Sequence, residues 1–152
     1  MDKLLTAFQD FFRKNSEHWV ERFDYKEAGP QLLLQAFLQR IINSGGRIER
    51  EYGLGRGRTD LLLIWPYGDQ ETVQEVVIET KLRHSALETV IAEGLSQTWA
   101  YMDRIGTTDG HLIIFDHEVG ATRHHSQSRT WDEKSFKRSE MHQDVVITVW
   151  GM

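Results

Sequence analysis

Two short apolar runs, each bounded by charge at one end, set the terms for this chain. Leu61-Leu62-Leu63-Ile64-Trp65 follows directly on Asp60, and Val76-Val77-Ile78 runs directly into Glu79-Thr80-Lys81. Runs this rich in large and β-branched apolar residues, flanked by polar turns, read as inner strands of a covered sheet. The polar segment Pro66–Glu71 between them is of the hairpin kind, so the two are expected to pair. Side chains alternate along a strand, which puts Glu79 and Lys81 on one face. In a hairpin the end of the second strand lies beside the start of the first, so Asp60 should meet Glu79.

The remaining elements arrange themselves around this pair. Leu4, Leu5, Phe8, Phe11 and Phe12 recur at helical spacing, so residues 2–14 read as an amphipathic helix. A second helix is expected from about Ala28 to Ile42, with Pro30 in its first turn and Gly45-Gly46 past its end. Leu32, Leu33, Leu34, Ala36, Phe37, Leu38, Ile41 and Ile42 surround most of that helix, which predicts a central, buried position. Arg47–Tyr52 reads as a polar edge strand, and a glycine- and arginine-rich turn, Gly53–Arg58, leads into the first inner strand. A third helix follows Lys81: Ser85 and Glu88 form a capping-box pattern, Leu87, Val90, Ile91, Leu95, Met102 and Ile105 trace its apolar stripe, and Gly106 suits its C-terminal cap. Residues 111–115 give a third inner strand, residues 117–142 a polar loop with a short turn of helix, and Val145–Trp150 a final strand. The order predicts one mixed α/β domain over residues 1–152, with an N-terminal helix in 1–15 ahead of a core in 16–152.

Composition narrows the setting. At 152 residues the chain can bury a sizeable core. It has no cysteine, which excludes disulfides and thiolate metal sites and points to a reducing cytoplasm. No apolar run approaches the roughly 18 residues that cross a bilayer, and the start lacks a signal-peptide pattern, so no membrane partner is expected. The net charge of −5 argues against tight, non-specific duplex binding by this domain alone. It leaves room for a site that handles phosphates, because metal ions offset converging carboxylates and a local basic strip can guide phosphates.

Two carboxylates converging on a partly buried site repel each other unless positive charge lies between them. A hard divalent cation, Mg²⁺ or Mn²⁺, meets that need with Asp60 and Glu79 as ligands and the main-chain carbonyl of Thr80 as a third oxygen. Lys81 then stands where it can orient or help deprotonate a water and stabilise charge on a phosphate. Such an ion acidifies water and neutralises a phosphorane-like state, which is what phosphodiester hydrolysis requires. Taken singly, a Glu-x-Lys is most often a surface ion pair; its combination with Asp60 across two apolar strands is much rarer. Arg56 and Arg58, in a loop thinned by glycine, can approach a phosphate backbone, or Arg58 can serve as a structural partner to nearby acids. Arg83 and His84 are weaker versions of the same idea. His117, His124 and His125 lack a zinc spacing and read as surface histidines of a polar loop.

The pattern of Asp60 followed by Glu79-Thr80-Lys81 resembles the signature of the PD-(D/E)XK nuclease superfamily. That resemblance implies a restriction-endonuclease-like core of helix, three-stranded meander, helix and strand, here with an extra N-terminal helix and a C-terminal strand. The stretch from about Phe8 to Met152 looks more closely like the nuclease-like C-terminal domain of bacterial AAA-type ATP-binding proteins. The matching residues are Gln35–Arg40, Glu49–Asp60 and Ile147–Met152. By the same resemblance Glu27 is the candidate for a metal-facing glutamate on the first core helix, although the helix dipole alone would favour it there. Gln97 and Tyr101, four residues apart on one helix face, match a Gln-x-x-x-Tyr pair that part of the superfamily uses at its active site. The proline-aspartate pair that names the superfamily is absent, with Thr59 before Asp60.

Two functions follow as expectations. One is metal-dependent cleavage of nucleic acid, DNA ahead of RNA. The other is a non-catalytic module that uses the same fold to dock nucleic acid or a protein. The resemblance implies an ATPase domain as neighbour, and the chain has no phosphate-binding Gly-x-x-x-x-Gly-Lys-Ser/Thr loop of its own. The apolar face of the first helix (Leu4, Phe8, Phe11) would pack on that neighbour or support a homodimer.

Overall fold

The computed structural model describes residues 1–20, 28–41, 45–54, 57–67, 72–116 and 134–152. These residues form three helices and six strands in the order α1 (Asp2–Val20), α2 (Ala28–Ile41), β1 (Arg47–Leu54), β2 (Gly57–Tyr67), β3 (Thr72–Leu82), α3 (Leu87–Ile105), β4 (Gly110–Phe115), β5 (Phe136–His142) and β6 (Val145–Gly151). The strands make one mixed sheet in the order β1-β2-β3-β4-β6-β5. β1, β2 and β3 form an antiparallel meander. β4 then joins β3 in parallel, which requires a long crossover, and α3 supplies it. β6 lies parallel to β4, and β5 closes the row antiparallel to β6.

Strand alternation divides the core between the two faces of this sheet. Leu61, Leu63, Val76, Ile78, Ile113, Phe115 and Trp150 point to one face, against Leu5, Phe8 and Phe12 of α1 and Leu34 and Leu38 of α2. Leu62, Ile64, Val77, Leu112, Ile114, Ile147 and Val149 point to the other, against Val90, Ile91, Leu95 and Met102 of α3. The sheet is therefore the middle of three layers. Every residue of β4 is buried, the polar His111 included, as befits a mostly apolar strand covered on both sides. α3 comes close to β4 because Gly94 carries no side chain: a Cβ there would lie 2.5 Å from Leu112 Cδ1. α1 is tied across the far side of the sheet by Gln9, whose Nε2 donates to the carbonyls of Phe136 (3.1 Å) and Gly151 (2.7 Å).

Four elements depart from expectation. α1 runs on to Val20 instead of ending near residue 14, and its apolar face covers its own sheet instead of waiting for a neighbouring domain or a second copy: Phe8 is fully buried, and Leu4 and Phe11 pack against the same core. α2 is not wrapped in core: it is an outer-layer helix whose buried stripe is Leu34 and Leu38, and Leu32 on its far side is 44% exposed. A helix packed on one side of a three-layer sandwich needs only one apolar stripe. The capping box at α3 does not form. The N-cap is Ala86 without a side-chain cap, and Glu88 reaches instead to Arg138 of β5 at 3.0 Å. The C-terminal cap is as expected, with Gly106 left-handed at φ 83° and its N–H on the Met102 carbonyl. The fourth correction is β5 itself, which occupies residues expected to be loop.

Candidate active site

The pairing of β2 with β3 runs from Tyr67↔Thr72 to Leu61↔Ile78. Beyond that point each strand keeps its other neighbour: β2 stays with β1 as far as Leu54↔Gly57, and β3 stays with β4 as far as Leu82↔Phe115. Asp60, Glu79, Thr80 and Lys81 sit at the place where the β2–β3 ladder gives out. The main-chain groups freed there need partners. The N–H of Thr80 finds one in the Asp60 carboxylate, donating to Oδ2 at 2.9 Å, and the Thr80 hydroxyl donates to the same oxygen at 2.6 Å. Thr59, fully buried, holds its hydroxyl 3.5 Å from the carbonyls of Leu61 and Ile78, a weak bond to each.

Glu79 is the electrostatic centre of this junction. It is 4% exposed, and Lys81 Nζ donates to its Oε1 at 2.6 Å. Its second oxygen, Oε2, is buried without a hydrogen-bond partner. Burial above all, and then the charge of Asp60, push its pKa from 4.5 up to about 7; the charge and hydrogen bond of Lys81 and the main-chain N–H of Asp60 pull the other way and lose. A salt bridge to a half-buried lysine therefore does not compensate a carboxylate that is desolvated and faces a second carboxylate.

The residues singled out from the sequence are placed unequally. Asp60, Glu79, Thr80 and Lys81 come together as described. Thr80 acts on Asp60 through its N–H and hydroxyl, a role not foreseen when only its carbonyl was considered. Gln97 is exposed on α3, and Tyr101 is half-buried against the core on that helix's side of the sheet. Arg83 is committed elsewhere: its Nη1 lies 3.0 Å from Asp116 Oδ2, a carboxylate only 4% exposed. Register explains this, because Leu82 faces Phe115 and the next residue of each strand falls alongside. Asp116 is the partner that the sequence reading misses, and its signal is a lone acid closing the apolar run 112–115. His84 turns its Nδ1 to the Leu82 carbonyl at 3.0 Å. Glu27, Arg56, His117, His124 and His125 lie outside the described residues, as does the side chain of Arg58.

Among the described residues no group of three or more histidine, aspartate or glutamate side chains is arranged to hold a metal ion. Asp60 and Glu79 nonetheless fit a hard cation. The buried, unpartnered Oε2 of Glu79, its raised pKa and the adjacent Asp60 are the features that a positive charge would relieve, and Mg²⁺ commonly takes only one or two protein carboxylates and keeps water in its other positions. No described helix is long and apolar enough to cross a membrane. Comparison with protein-family models, with curated proteins and with solved structures finds no match to this chain.

Proposed function

We propose that this chain is a PD-(D/E)XK nuclease-type domain that hydrolyses phosphodiester bonds of nucleic acid, DNA ahead of RNA, with Mg²⁺ or Mn²⁺. The observation that carries the reading is the buried Glu79 beside Asp60, with one carboxylate oxygen left unpartnered and Lys81 two residues along the same strand. The element order supports it as well: α2, the β1–β3 meander, α3 and β4 follow the order of a restriction-endonuclease-like core, with α1, β5 and β6 as additions.

In this reading Asp60 and Glu79, with the Thr80 carbonyl, hold the cation, which supplies Lewis-acid charge to the phosphoryl group and acidifies water. Thr80 fixes the Asp60 carboxylate by two donors to one oxygen, so Asp60 meets its ligand without reorganising. Lys81 keeps Glu79 oriented, and its ammonium stabilises negative charge gathering on the phosphate while orienting the attacking water. Gln97 and Tyr101 would contact substrate from α3, and Arg56 and Arg58 its backbone.

The test is incubation of linear, nicked and branched DNA, and of RNA, with Mg²⁺ or Mn²⁺. Wild-type protein should cleave only with metal, and Lys81→Ala should not cleave. Metal-dependent cleavage that persists unchanged in Lys81→Ala sinks the assignment. The net charge of −5 favours a second reading, a docking module that binds metal and nucleic acid or protein without cutting, in a larger cytoplasmic ATP-driven protein. Titration calorimetry separates the two: metal binding that Asp60→Ala abolishes, without cleavage of any substrate, supports the module.

A further inference from the structure

The sheet ends on β5, and among the described residues β6 is its one strand partner. The two are joined by a two-residue turn, Gln143-Asp144, closed by the pair His142↔Val145, with Gln143 at φ 54°. In such a hairpin the closing pair is hydrogen-bonded, and bonded and non-bonded pairs alternate from there. Phe136, Arg138, Glu140 and His142 therefore turn their main-chain N–H and C=O toward β6. Lys137, Ser139 and Met141 turn theirs outward.

Among the described residues, this edge carries neither of two devices that ordinarily prevent pairing, a proline or a β-bulge. β5 has no proline, and its register with β6 runs unbroken from Phe136↔Gly151 to His142↔Val145, without a bulge. Its one lysine, 41% exposed, is engaged by its own chain on the α1 side, with Lys137 Nζ 2.9 Å from Asp2 Oδ2 and 4.8 Å from the centre of the Trp150 ring. Met141, 68% exposed, and its cross-strand partner Val146, 50% exposed, leave apolar surface beside it.

We propose that β5 pairs antiparallel with β5 of a second copy of this chain, about a two-fold axis at Ser139. Only the outward-facing residues can form hydrogen-bonded pairs across such an axis, so few registers exist. With the axis at Ser139, Lys137 faces the partner's Met141, Arg138 faces the partner's Glu140, and Glu140 faces the partner's Arg138. Sliding one step either way sets Arg138 against the partner's Arg138, or Glu140 against the partner's Glu140, and like charges directly opposite are destabilising. The favoured register also puts Arg138 and Glu140 in non-hydrogen-bonded pairs, where facing side chains are closest. The single chain leaves this arginine incompletely used. Its Nη2 reaches the exposed Glu88, while its buried Nε, 3.0 Å from Glu140 Oε1, makes no hydrogen bond. The alkyl stem of Lys137 would cover the partner's Met141. The result is one continuous sheet of two six-stranded halves, with both copies of α3 on the same face.

Sedimentation equilibrium from low micromolar to several hundred micromolar protein tests this independently of any catalytic activity. Wild-type protein should dimerise as concentration rises. Arg138→Glu or Glu140→Arg alone places like charges opposite each other twice per interface and should weaken the dimer at least about tenfold. Mixed in equal amounts, these two variants should pair with each other, because every facing pair is then of opposite charge. Ser139→Pro removes only an outward N–H and should leave a folded monomer; it carries the test if circular dichroism shows a charge variant unfolded. The proposal is overturned by wild-type protein that stays monomeric throughout. It is overturned equally if the single variants or Ser139→Pro dimerise as well as wild type, or if the mixture is no more dimeric than its parts.

Discussion

Replacing Glu79 by glutamine should make the metal-free protein more stable at neutral pH, and the size of the gain follows from the site. The folded-state pKa of Glu79 stands at about 7 against an ordinary 4.5. At 1.36 kcal/mol per pH unit that difference amounts to about 3 kcal/mol. For an acid whose pKa is raised on folding, the native state holds its proton more tightly than the unfolded chain. The associated stability is fully present below pH 4.5 and is lost as pH rises to about 7. Glutamine has nearly the same shape and no charge to desolvate, so Glu79→Gln should match wild type at the acid end of that window. It should exceed wild type by up to about 3 kcal/mol above the window. Urea unfolding in EDTA, followed by tryptophan fluorescence at a series of pH values, measures the difference directly. Mg²⁺ should then restore wild-type stability at the alkaline end while leaving Glu79→Gln largely unmoved. Stability curves for the two proteins that run parallel across the window within about 0.5 kcal/mol would refute the account of Glu79 as a buried, repelled carboxylate.

Two further changes probe the frame around it. Thr80→Val deletes the 2.6 Å hydroxyl donor to Asp60 while keeping the N–H donor; Mn²⁺ affinity, read by calorimetry, should fall about 10-fold or more, with a fold loss of about 1 kcal/mol. Gly94→Ala drives a Cβ to 2.5 Å from Leu112 Cδ1 in a buried helix–sheet contact and should destabilise by about 1–3 kcal/mol in a thermal melt.

What could be read in advance depended on whether a residue violated its local pattern. Asp60, Glu79 and Lys81 stood out because each places charge where an apolar strand would continue, and the structure does gather them at one junction. The stripe of α3 and its glycine cap were equally plain, since both are properties of a single helix. β5 was not. Of its seven residues only Phe136 and Met141 are apolar, and the side facing α3 is filled by Arg138, Glu140 and His142, so alternation of polarity is absent. Its strand character comes from β6 across a two-residue turn, a partner that local reading does not weigh. The buried status expected for α2 failed for the opposite reason: its leucines exceed what one sheet face can cover, and Leu32 is left outside. Glu88 had the right spacing for a cap, yet a guanidinium on a strand distant in sequence drew it away.

The Thr80 amide, held by a carboxylate where a neighbouring strand would have offered a carbonyl, gives this site a built-in reporter. Its proton is sheltered from exchange only while Asp60 keeps its oxygen turned toward it. A cation held by Asp60 as it stands would shift the resonance of this one amide and leave it protected, whereas anything that draws the carboxylate aside would speed its exchange, and in both cases the ladder amides of Val76–Ile78 stay protected. A single nuclear magnetic resonance signal would thus follow occupancy of the site with neither substrate nor turnover.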